Sequence, residues 1–363
     1  FEILWVCWFG FNFKMESLKY IRAAEYLIQN KDLSEARYFF YLTTILIIAL
    51  SLLLKTGLYG AIVLTLVINL FCYLYFYRAL VHLFSDSILP LVICLFLISF
   101  WPYQLWSVFL YTESTFYSLV LLLFSRLILF KKMSVKFILS TAIILVAVVI
   151  SRPLGILFVI PVLLFIYFNL TGKQKIYFYL ALLLSFVLIN KIVQIVFTTT
   201  SDWNIQRPFL EESIICDLPV PLVDKNIIVS HNPNALYQLG FYISHNFPIF
   251  LRLALTRLRY FFFMVRDYYS PGHNTYLLIY IGFLYTSILV KFQKISRTLP
   301  KPLLMFIFFS ILFFALAVAF QCDDYHNRFF LTLMPMFVVL AATAILGGKS
   351  LSLFKYENIK VPG

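Results

Sequence analysis

Several acidic and basic side chains border long apolar stretches, and these are the residues whose types and positions could support chemistry. Glu16 begins a stretch in which Tyr20, Ala23 and Ala24 fall on one side of a helix and Arg22 falls on the other. A charged group beside lipid is unfavourable unless it is paired or solvated. Glu16 could therefore be a general base toward an acceptor hydroxyl or amine, or it could satisfy the free N–H groups that begin the helix.

Glu113 and Arg152 stand at the boundaries of other apolar runs. Glu113 could bind substrate or an ion, or it could cap the following helix together with Thr112. Arg152 precedes Pro153 between two apolar runs, where it could contact an anionic phosphate or close a turn and pair with a carboxylate. The sequence leaves both roles open for each residue.

Arg328 is the sharpest candidate for phosphate recognition, because a planar guanidinium donates two parallel hydrogen bonds to a phosphate. The alternatives are an ion pair with Asp323 or Asp324, or simple extension of the side chain toward the membrane surface. Asp323, Asp324 and His326 could also hold a divalent cation such as Mg²⁺ or Mn²⁺. Two adjacent acids and one histidine are a weak metal signal, and a solvated loop explains them more simply.

Arginines alternate with Phe, Leu and Tyr over residues 246–269. This composition suits a helix at the lipid headgroup boundary, where the arginines could hold a phosphate or only extend to the headgroups. In addition to Glu113, Arg152 and Arg328, the candidate substrate-binding residues are Tyr20, Arg252, Arg257, Arg266, Tyr269 and His273.

The composition identifies the class of protein. Hydrophobic residues make up 62% of the 363 positions and charged residues 12%, against roughly a quarter charged in soluble domains. We therefore expect an all-α, polytopic integral membrane protein. The net charge of +13 does not indicate nucleic acid, because the basic residues form short clusters between apolar runs, as cytoplasmic loops do. No nucleotide-binding motif occurs, so no nucleotide cofactor is expected.

Apolar runs long enough to approach the thickness of a bilayer predict about ten or eleven transmembrane helices. They cover residues 58–77, 88–103, 114–130, 137–150, 153–170, 177–197, 274–291, 303–320 and 329–346. Residues 1–57 are expected to hold the end of a first span and an outer loop with amphipathic helices. Residues 198–273 are expected to be a second outer loop with an interfacial helix, and residues 347–363 a cytoplasmic tail.

The run 38–54 decides the side on which Glu16 lies. Lysine and arginine clusters place the loops near residues 131, 173 and 291 in the cytoplasm. If 38–54 crossed the membrane, Glu16 would be cytoplasmic; if it lies in the interface or dips in and returns, Glu16 is outside. We favour the second arrangement because it collects the unusual polar clusters on one face. Cys216 and Cys322 could then both lie outside, although the sequence does not favour a bridge between them.

Taken together, these stretches resemble the polytopic glycosyltransferases of the GT-C fold, especially bacterial relatives of protein O-mannosyltransferases and aminoarabinose lipid A transferases. Glu16, Tyr20, Ala24 and Leu27 match the family's acid-x-x-x-Tyr-x-x-x-Ala-x-x-Leu spacing. The family usually has Asp followed by Glu where this chain has Glu16 followed by Ser. Similar matches occur in Trp101-Pro102 with Thr112-Glu113-Ser114, in Arg152-Pro153-Leu154-Gly155, and in Arg328-Phe329 with Pro335.

The resemblance implies a GT-C-like enzyme of the bacterial inner membrane with its active site on the periplasmic, extracytoplasmic face. It would move a sugar from a polyprenyl-phosphate carrier to a protein, glycan or lipid acceptor, with inversion. Glu16 would deprotonate or orient the acceptor, and Arg328, with Arg152 or an arginine of 252–266, would stabilise the leaving phosphate. Some members need a divalent metal and others do not, so the resemblance leaves the cofactor open.

Two other classes of function remain. A flippase or carrier of a lipid-linked glycan would bear charged groups midway along several spans, whereas here they gather at one face. A noncatalytic subunit of a membrane complex is the second alternative, which the replacement of Asp by Glu16 favours. Membrane lipids are expected partners in every case, and the sequence identifies no protein partner.

Overall fold

Most of the residues described by this computed structural model are helical. The model describes residues 6–8, 10–85, 88–170, 207–216, 227–230, 232, 234–323 and 325–346, with scattered positions between 172 and 191. Across these ranges there is no strand; two isolated bridges join Asn12 to Phe109 and Ile215 to Asp323. The all-α expectation is confirmed. Most of the run 177–197, the tail 347–363 and Asp324 lie outside the described residues.

The helices follow the predicted apolar runs closely. They are α1 Ser17–Asn30, α2 Leu42–Leu53, α3 Gly57–Phe84, α4 Ile88–Ser99, α5 Trp101–Gln104, α6 Thr112–Ile128, α7 Val135–Val149, α8 Val159–Phe168, α9 Arg207–Leu210, α10 Ala235–His245, α11 Phe247–Phe263, α12 Pro271–Val290, α13 Phe292–Thr298, α14 Lys301–Phe320, α15 Arg328–Leu331 and α16 Met334–Leu346. Short 3₁₀ turns cover Ala36–Tyr41, Leu105–Val108, Pro153–Phe158 and Tyr325–Asn327.

Helices long and apolar enough to cross a membrane number four within the described ranges: Ala36–Leu53, Gly57–Phe84, Pro271–Val290 and Lys301–Phe320. The number rises to six if each of two bent pairs forms one span; these are Ile88–Ser99 with Trp101–Val108, bent by 73°, and Tyr325–Leu331 with Met334–Ile345, bent by 53°. Multi-pass helical character is therefore supported. The higher count of about ten or eleven spans stays a prediction from apolar run length.

The main hydrophobic core lies among α3, α4, α6, α12, α14 and α16. Helix α6 packs along α3, where the Asn69 side-chain amide donates to the Ser118 hydroxyl over 3.0 Å. Ser118 in turn donates to the carbonyl of Ser114, one turn earlier. Small residues let helices approach closely, and their hydroxyls are satisfied within the helix. This packing fixes the start of α6, which carries Glu113.

A second core joins α1 and α2 to the start of α3. Tyr20, Ala23 and Ala24 are buried on one side of α1, whereas Arg22 and Glu25 are exposed on the other. The predicted amphipathic helix is therefore confirmed. The chain leaves α1 through Lys31 in the left-handed conformation, so α2 can fold back onto the apolar side of α1.

Helix α2 is bonded to a neighbouring segment near each of its ends. Near its start, the Thr43 N–H donates to the carbonyl of Ile150, just beyond α7 (3.2 Å). Near its end, the Ser51 hydroxyl donates to the carbonyl of Gly57, where α3 begins (2.6 Å). The twelve residues of α2 span about 18 Å, but Ala36–Leu53 together has the length and apolarity of a membrane span. The side of the membrane on which Glu16 lies therefore stays a prediction.

A disulfide joins Cys216 to Cys322, which are 106 positions apart in the sequence. Beside it, the Cys216 N–H donates to the carbonyl of Asp323 (2.8 Å) and the Asp323 N–H donates to the carbonyl of Ile214 (2.9 Å). The sequence did not favour this bridge, because two cysteines so far apart carry no spacing signal. The bridge ties residues 207–216 to the segment that precedes Arg328.

We predict that the denatured, unreduced protein exposes three thiols and the reduced protein five. Cys7, Cys72 and Cys94 are free cysteines, and the bridge holds the other two. Maleimide labelling in denaturant, followed by intact mass measurement, counts them directly. Labelling of five thiols without reductant would contradict the bridge; the double variant Cys216→Ser, Cys322→Ser is the control and should show three in both conditions.

Candidate functional site

Four charged side chains from distant parts of the sequence meet at the end of the bundle where α1 and α6 begin. They are Glu16, Glu113, Arg152 and Arg328, and we call them the charged quartet. One terminal nitrogen of Arg328, Nη1, lies 2.7 Å from Oε2 of Glu16 and 2.7 Å from Oε1 of Glu113. Arg152 contacts the same Oε1 of Glu113 through its Nη1. One carboxylate oxygen thus bridges two guanidinium groups.

Glu113 is the buried centre of the charged quartet. It is fully buried, and Arg152 and Arg328 are nearly so. It lies in the first turn of α6, where the helix dipole favours a carboxylate. Tyr111, the N-cap residue, makes no side-chain cap. The Glu113 carboxylate pairs with both arginines and also accepts a hydrogen bond from the Thr112 hydroxyl over 3.4 Å. Its substrate-binding and capping roles both stay predictions.

Arg152 is positioned by a tight turn after α7. The Gly155 N–H donates to the carbonyl of Arg152 over 2.8 Å, and a Cβ built on Gly155 would lie 2.3 Å from the carbonyl oxygen of Val148. Only glycine allows this approach of two backbone segments. The Arg-Pro-x-Gly turn therefore directs Arg152 at Glu113, which is the carboxylate-pairing role left open by the sequence.

Arg328 is held from three sides. The Tyr117 hydroxyl donates to its carbonyl (2.9 Å), and its guanidinium carbon lies 4.5 Å from the ring centroid of Trp106 and 5.6 Å from that of Tyr111. A cation over an aromatic face is stabilised by the ring quadrupole. His326 and Asn327, just before it, adopt the left-handed conformation. The sequence predicted no contact between Arg328 and either ring; the only signal of these rings was their position next to the Thr112-Glu113-Ser114 motif or within ten residues of it.

Glu16 forms the open edge of the charged quartet. Its side chain is 36% exposed, and Lys19 also pairs with it through a 3.1 Å contact between Nζ and Oε1. As predicted, Glu16 lies at the start of α1, but its side chain makes no capping hydrogen bond. Burial and the neighbouring Glu113 raise the pKa of the Glu16 carboxyl, yet Arg328 and Lys19 outweigh them and hold the pKa below its usual value. At neutral pH Glu16 is therefore a carboxylate.

A backbone bridge fixes the distance between the two acidic residues. The Asn12 N–H donates to the carbonyl of Val108 (3.1 Å), and the Leu110 N–H donates to the carbonyl of Asn12 (3.2 Å). The segment leading to Glu16 is thus joined to the segment leading to Glu113. Tyr20 is buried beside this junction, and burial raises the pKa of its phenol well above the usual value, so it stays neutral.

Three predicted arginines lie outside the charged quartet. Arg257 is fully buried and donates to the carbonyls of Ser213, Ala319 and Pro208. Arg266 is fully buried against Asp323. Arg252 pairs with Glu212 over 3.3 Å. The contacts described for these three guanidinium groups are all within the chain, and the substrate contacts predicted for them stay predictions.

The three weak metal candidates are only partly described. Among the described residues, no group of three His, Cys, Asp or Glu side chains is arranged to hold a metal ion. Asp323 is engaged by Arg266, not by Arg328 as one sequence alternative had it. His326 faces the Tyr269 hydroxyl through Nδ1 over 3.2 Å. Asp324 lies outside the described residues, so a divalent cation on these three residues stays a prediction.

Tyr269 and His273 lie in a row of aromatic rings next to the charged quartet. Their centroids are 3.9 Å apart and the rings are stacked. His273 also contacts Trp101 (4.7 Å between ring centroids), and His326 lies 6.1 Å from Trp106. The row runs from Trp101 to Trp106, the ring over which the Arg328 guanidinium lies. The sequence predicted these two residues but gave no reason for their proximity to Arg328.

The chemistry available here is that of an anion site with an adjacent base. Two guanidinium groups are held together by one buried carboxylate, and a second, half-exposed carboxylate lies at 2.7 Å from Arg328. A planar guanidinium suits phosphate, and a carboxylate suits proton acceptance. Comparison of the chain with family models, curated proteins and solved structures gives no match.

We predict that Glu113→Gln destabilises the protein by about 3–5 kcal/mol, because it leaves two buried guanidinium groups without a shared carboxylate. Chemical unfolding in detergent micelles, followed by circular dichroism, measures the change. Glu16→Gln is the matched variant and should cost about 0–1 kcal/mol, since Glu16 is half-exposed. Equal losses in the two variants would contradict the central role of Glu113.

Proposed function

We propose that the protein is a GT-C-like glycosyltransferase that moves a sugar from a polyprenyl-phosphate carrier to an extracytoplasmic acceptor. The observation that carries the proposal is the contact between Glu16 and Arg328, 2.7 Å at the exposed edge of an otherwise buried ion network. The contact places a proton acceptor next to a phosphate-binding cation, so that both could reach the two ends of the bond that changes in the substrate. No motif in the chain suggests a soluble nucleotide donor.

The donor phosphate would compete with Glu16 for Arg328. Glu113 is buried and bridges both arginines, so it is the partner that stays. Glu16 is 36% exposed and retains Lys19, so it is the partner that can be displaced. A phosphate on Arg328 would remove one of the two cations that lower the pKa of Glu16. Donor binding would therefore make Glu16 a stronger base.

In the transfer step, the acceptor oxygen or nitrogen forms a bond to the anomeric carbon of the sugar as the bond from that carbon to the phosphate oxygen breaks. The phosphate leaves with the bonding electron pair and its new charge rests against Arg328. The proton of the acceptor passes to Glu16 and then to solvent. Attack opposite to the leaving phosphate inverts the configuration. Arg152 acts through Glu113, by keeping Arg328 in place.

The placement of buried charge supports a one-sided enzyme. The buried charged residues of the described ranges are Glu113, Arg152, Glu212, Arg257, Arg266, Asp323 and Arg328, and they belong to the outer loop or to helix ends that approach the charged quartet. A carrier would need such groups along the spans. The Cys216–Cys322 bridge supports an oxidising, extracytoplasmic side for this face, which in a bacterium is the periplasmic side of the inner membrane.

We predict that Glu16→Gln lowers the rate of sugar transfer by about 10²–10⁴-fold, the usual contribution of a general base. The protein in detergent is supplied with polyprenyl-phosphate sugars and a crude acceptor extract, and labelled product is counted. Glu25→Gln is the control, because it makes the same change on the exposed side of α1. Arg328→Lys should lower transfer while keeping the charge, since lysine lacks paired donors.

Each outcome has a definite meaning. Transfer by Glu16→Gln at the rate of the unaltered protein would remove Glu16 as the base. Transfer by neither protein with any donor would contradict the enzyme and favour a carrier or a noncatalytic subunit. In that case, binding of a fluorescent polyprenyl phosphate would favour a carrier, because a carrier must bind the lipid. Absence of binding would favour a noncatalytic subunit, which need not bind it.

A further inference from the structure

A groove opens on the side of the bundle, between the end of α11 and the first half of α12. Its volume is about 280 Å³, and it is lined by Arg259, Tyr260, Phe263, Val265, Asp267 and Leu278. Sites for whole small molecules usually measure about 300–1,000 Å³. A groove of this size suits a headgroup whose remaining part lies outside. None of its lining residues belongs to the charged quartet.

The polar part of the groove presents one positive and one negative group on either side of a ring. The Arg259 guanidinium carbon lies 5.5 Å from the ring centroid of Tyr260, and the Tyr260 hydroxyl donates to Oδ2 of Asp267 over 2.7 Å. Arg259 and Asp267 are both exposed. Arg266 also lies 5.5 Å from this ring, but its charge is balanced by Asp323.

The apolar part of the groove faces outward. Phe263 is 49% exposed and Leu278 is 46% exposed. Along α11, exposed residues recur every fourth position at Leu251, Leu255, Arg259 and Phe263, which places them in one row on the helix. Helix α12 belongs to a candidate membrane span. An exposed apolar row beside a span contacts lipid, and Arg259 is the charged member of that row.

We propose that this groove binds the headgroup of a zwitterionic phospholipid that carries a primary amine, such as phosphatidylethanolamine. The phosphate lies on Arg259 and the ammonium group on Asp267, while the acyl chains follow Phe263 and Leu278. An anionic headgroup without an amine would set a negative charge beside Asp267. A quaternary ammonium has no N–H to donate to the carboxylate. The paired charges therefore select both the phosphate and the amine.

The site is independent of the proposed transferase activity, and its test does not use that activity. The protein is incorporated into nanodiscs of equal parts phosphatidylethanolamine, phosphatidylglycerol and phosphatidylcholine, extracted in mild detergent, and the retained lipids are identified by native mass spectrometry. We predict enrichment of phosphatidylethanolamine over both other lipids. A charge-assisted contact to each group is expected to give a preference of about tenfold.

Two variants separate the two contacts. Asp267→Asn keeps a hydrogen-bond acceptor for Tyr260 but removes the negative charge, and it should shift the preference toward phosphatidylglycerol. Arg259→Gln should lower the amount of all three lipids that is retained, because each of them carries the phosphate. Arg22→Gln and Glu25→Gln are the matched controls, because they make the same charge changes on the exposed side of α1 and should leave the retained lipids unchanged.

Equal retention of the three lipids by the unaltered protein would overturn the proposal. It would also be overturned if Asp267→Asn retained the lipids in the same proportions as the two controls, or if Arg259→Gln retained the same total amount of lipid as the controls. Retention of phosphatidylglycerol in preference to phosphatidylethanolamine would show an anion site instead, in which Asp267 takes no part.

Discussion

The bridging of Arg152 and Arg328 by one buried oxygen of Glu113 is the contact on which the rest of the site depends. Two like charges at this depth repel strongly, and each would be costly alone. Glu113 makes them favourable together, and it can do so only because α6 begins where the turn before α8 and the start of α15 converge. The packing of α6 on α3 and the Gly155 turn are therefore conditions for the site as well as for the fold.

Because Glu113 neutralises only one of the two arginines, the site keeps the capacity to bind another anion. In the structure that second anion is Glu16, which is attached through α1 and reaches the charged quartet from the outside. Glu113 is thus the buried partner of Arg328, and Glu16 is its exposed partner. In the proposed reaction, exchange of the Glu16 carboxylate for a phosphate would conserve the charge around Arg328 and would leave no cation unpaired.

The sequence predicts the positions of the helices better than it predicts the contacts between residues on different helices. Apolar runs and the spacing of Tyr20, Ala23 and Ala24 predicted both the spans and the amphipathic α1, because burial in a helix follows from local periodicity. The four residues of the charged quartet were each found as charged groups beside lipid. The sequence did not predict which of these residues pair with each other. Glu16 and Arg328 lie at opposite ends of the chain, and only the fold brings them together.

The arginines in α11 and just after it show the same limit of prediction from sequence. Arg252, Arg257, Arg259 and Arg266 look alike in sequence, since each is a cation among apolar residues. In the structure Arg257 satisfies three backbone carbonyls, Arg266 neutralises Asp323, and Arg259 lies exposed at the lipid-facing row. Which role each takes depends on its angle around the helix and on the neighbour at that angle, and the neighbours come from segments that are far away in the sequence.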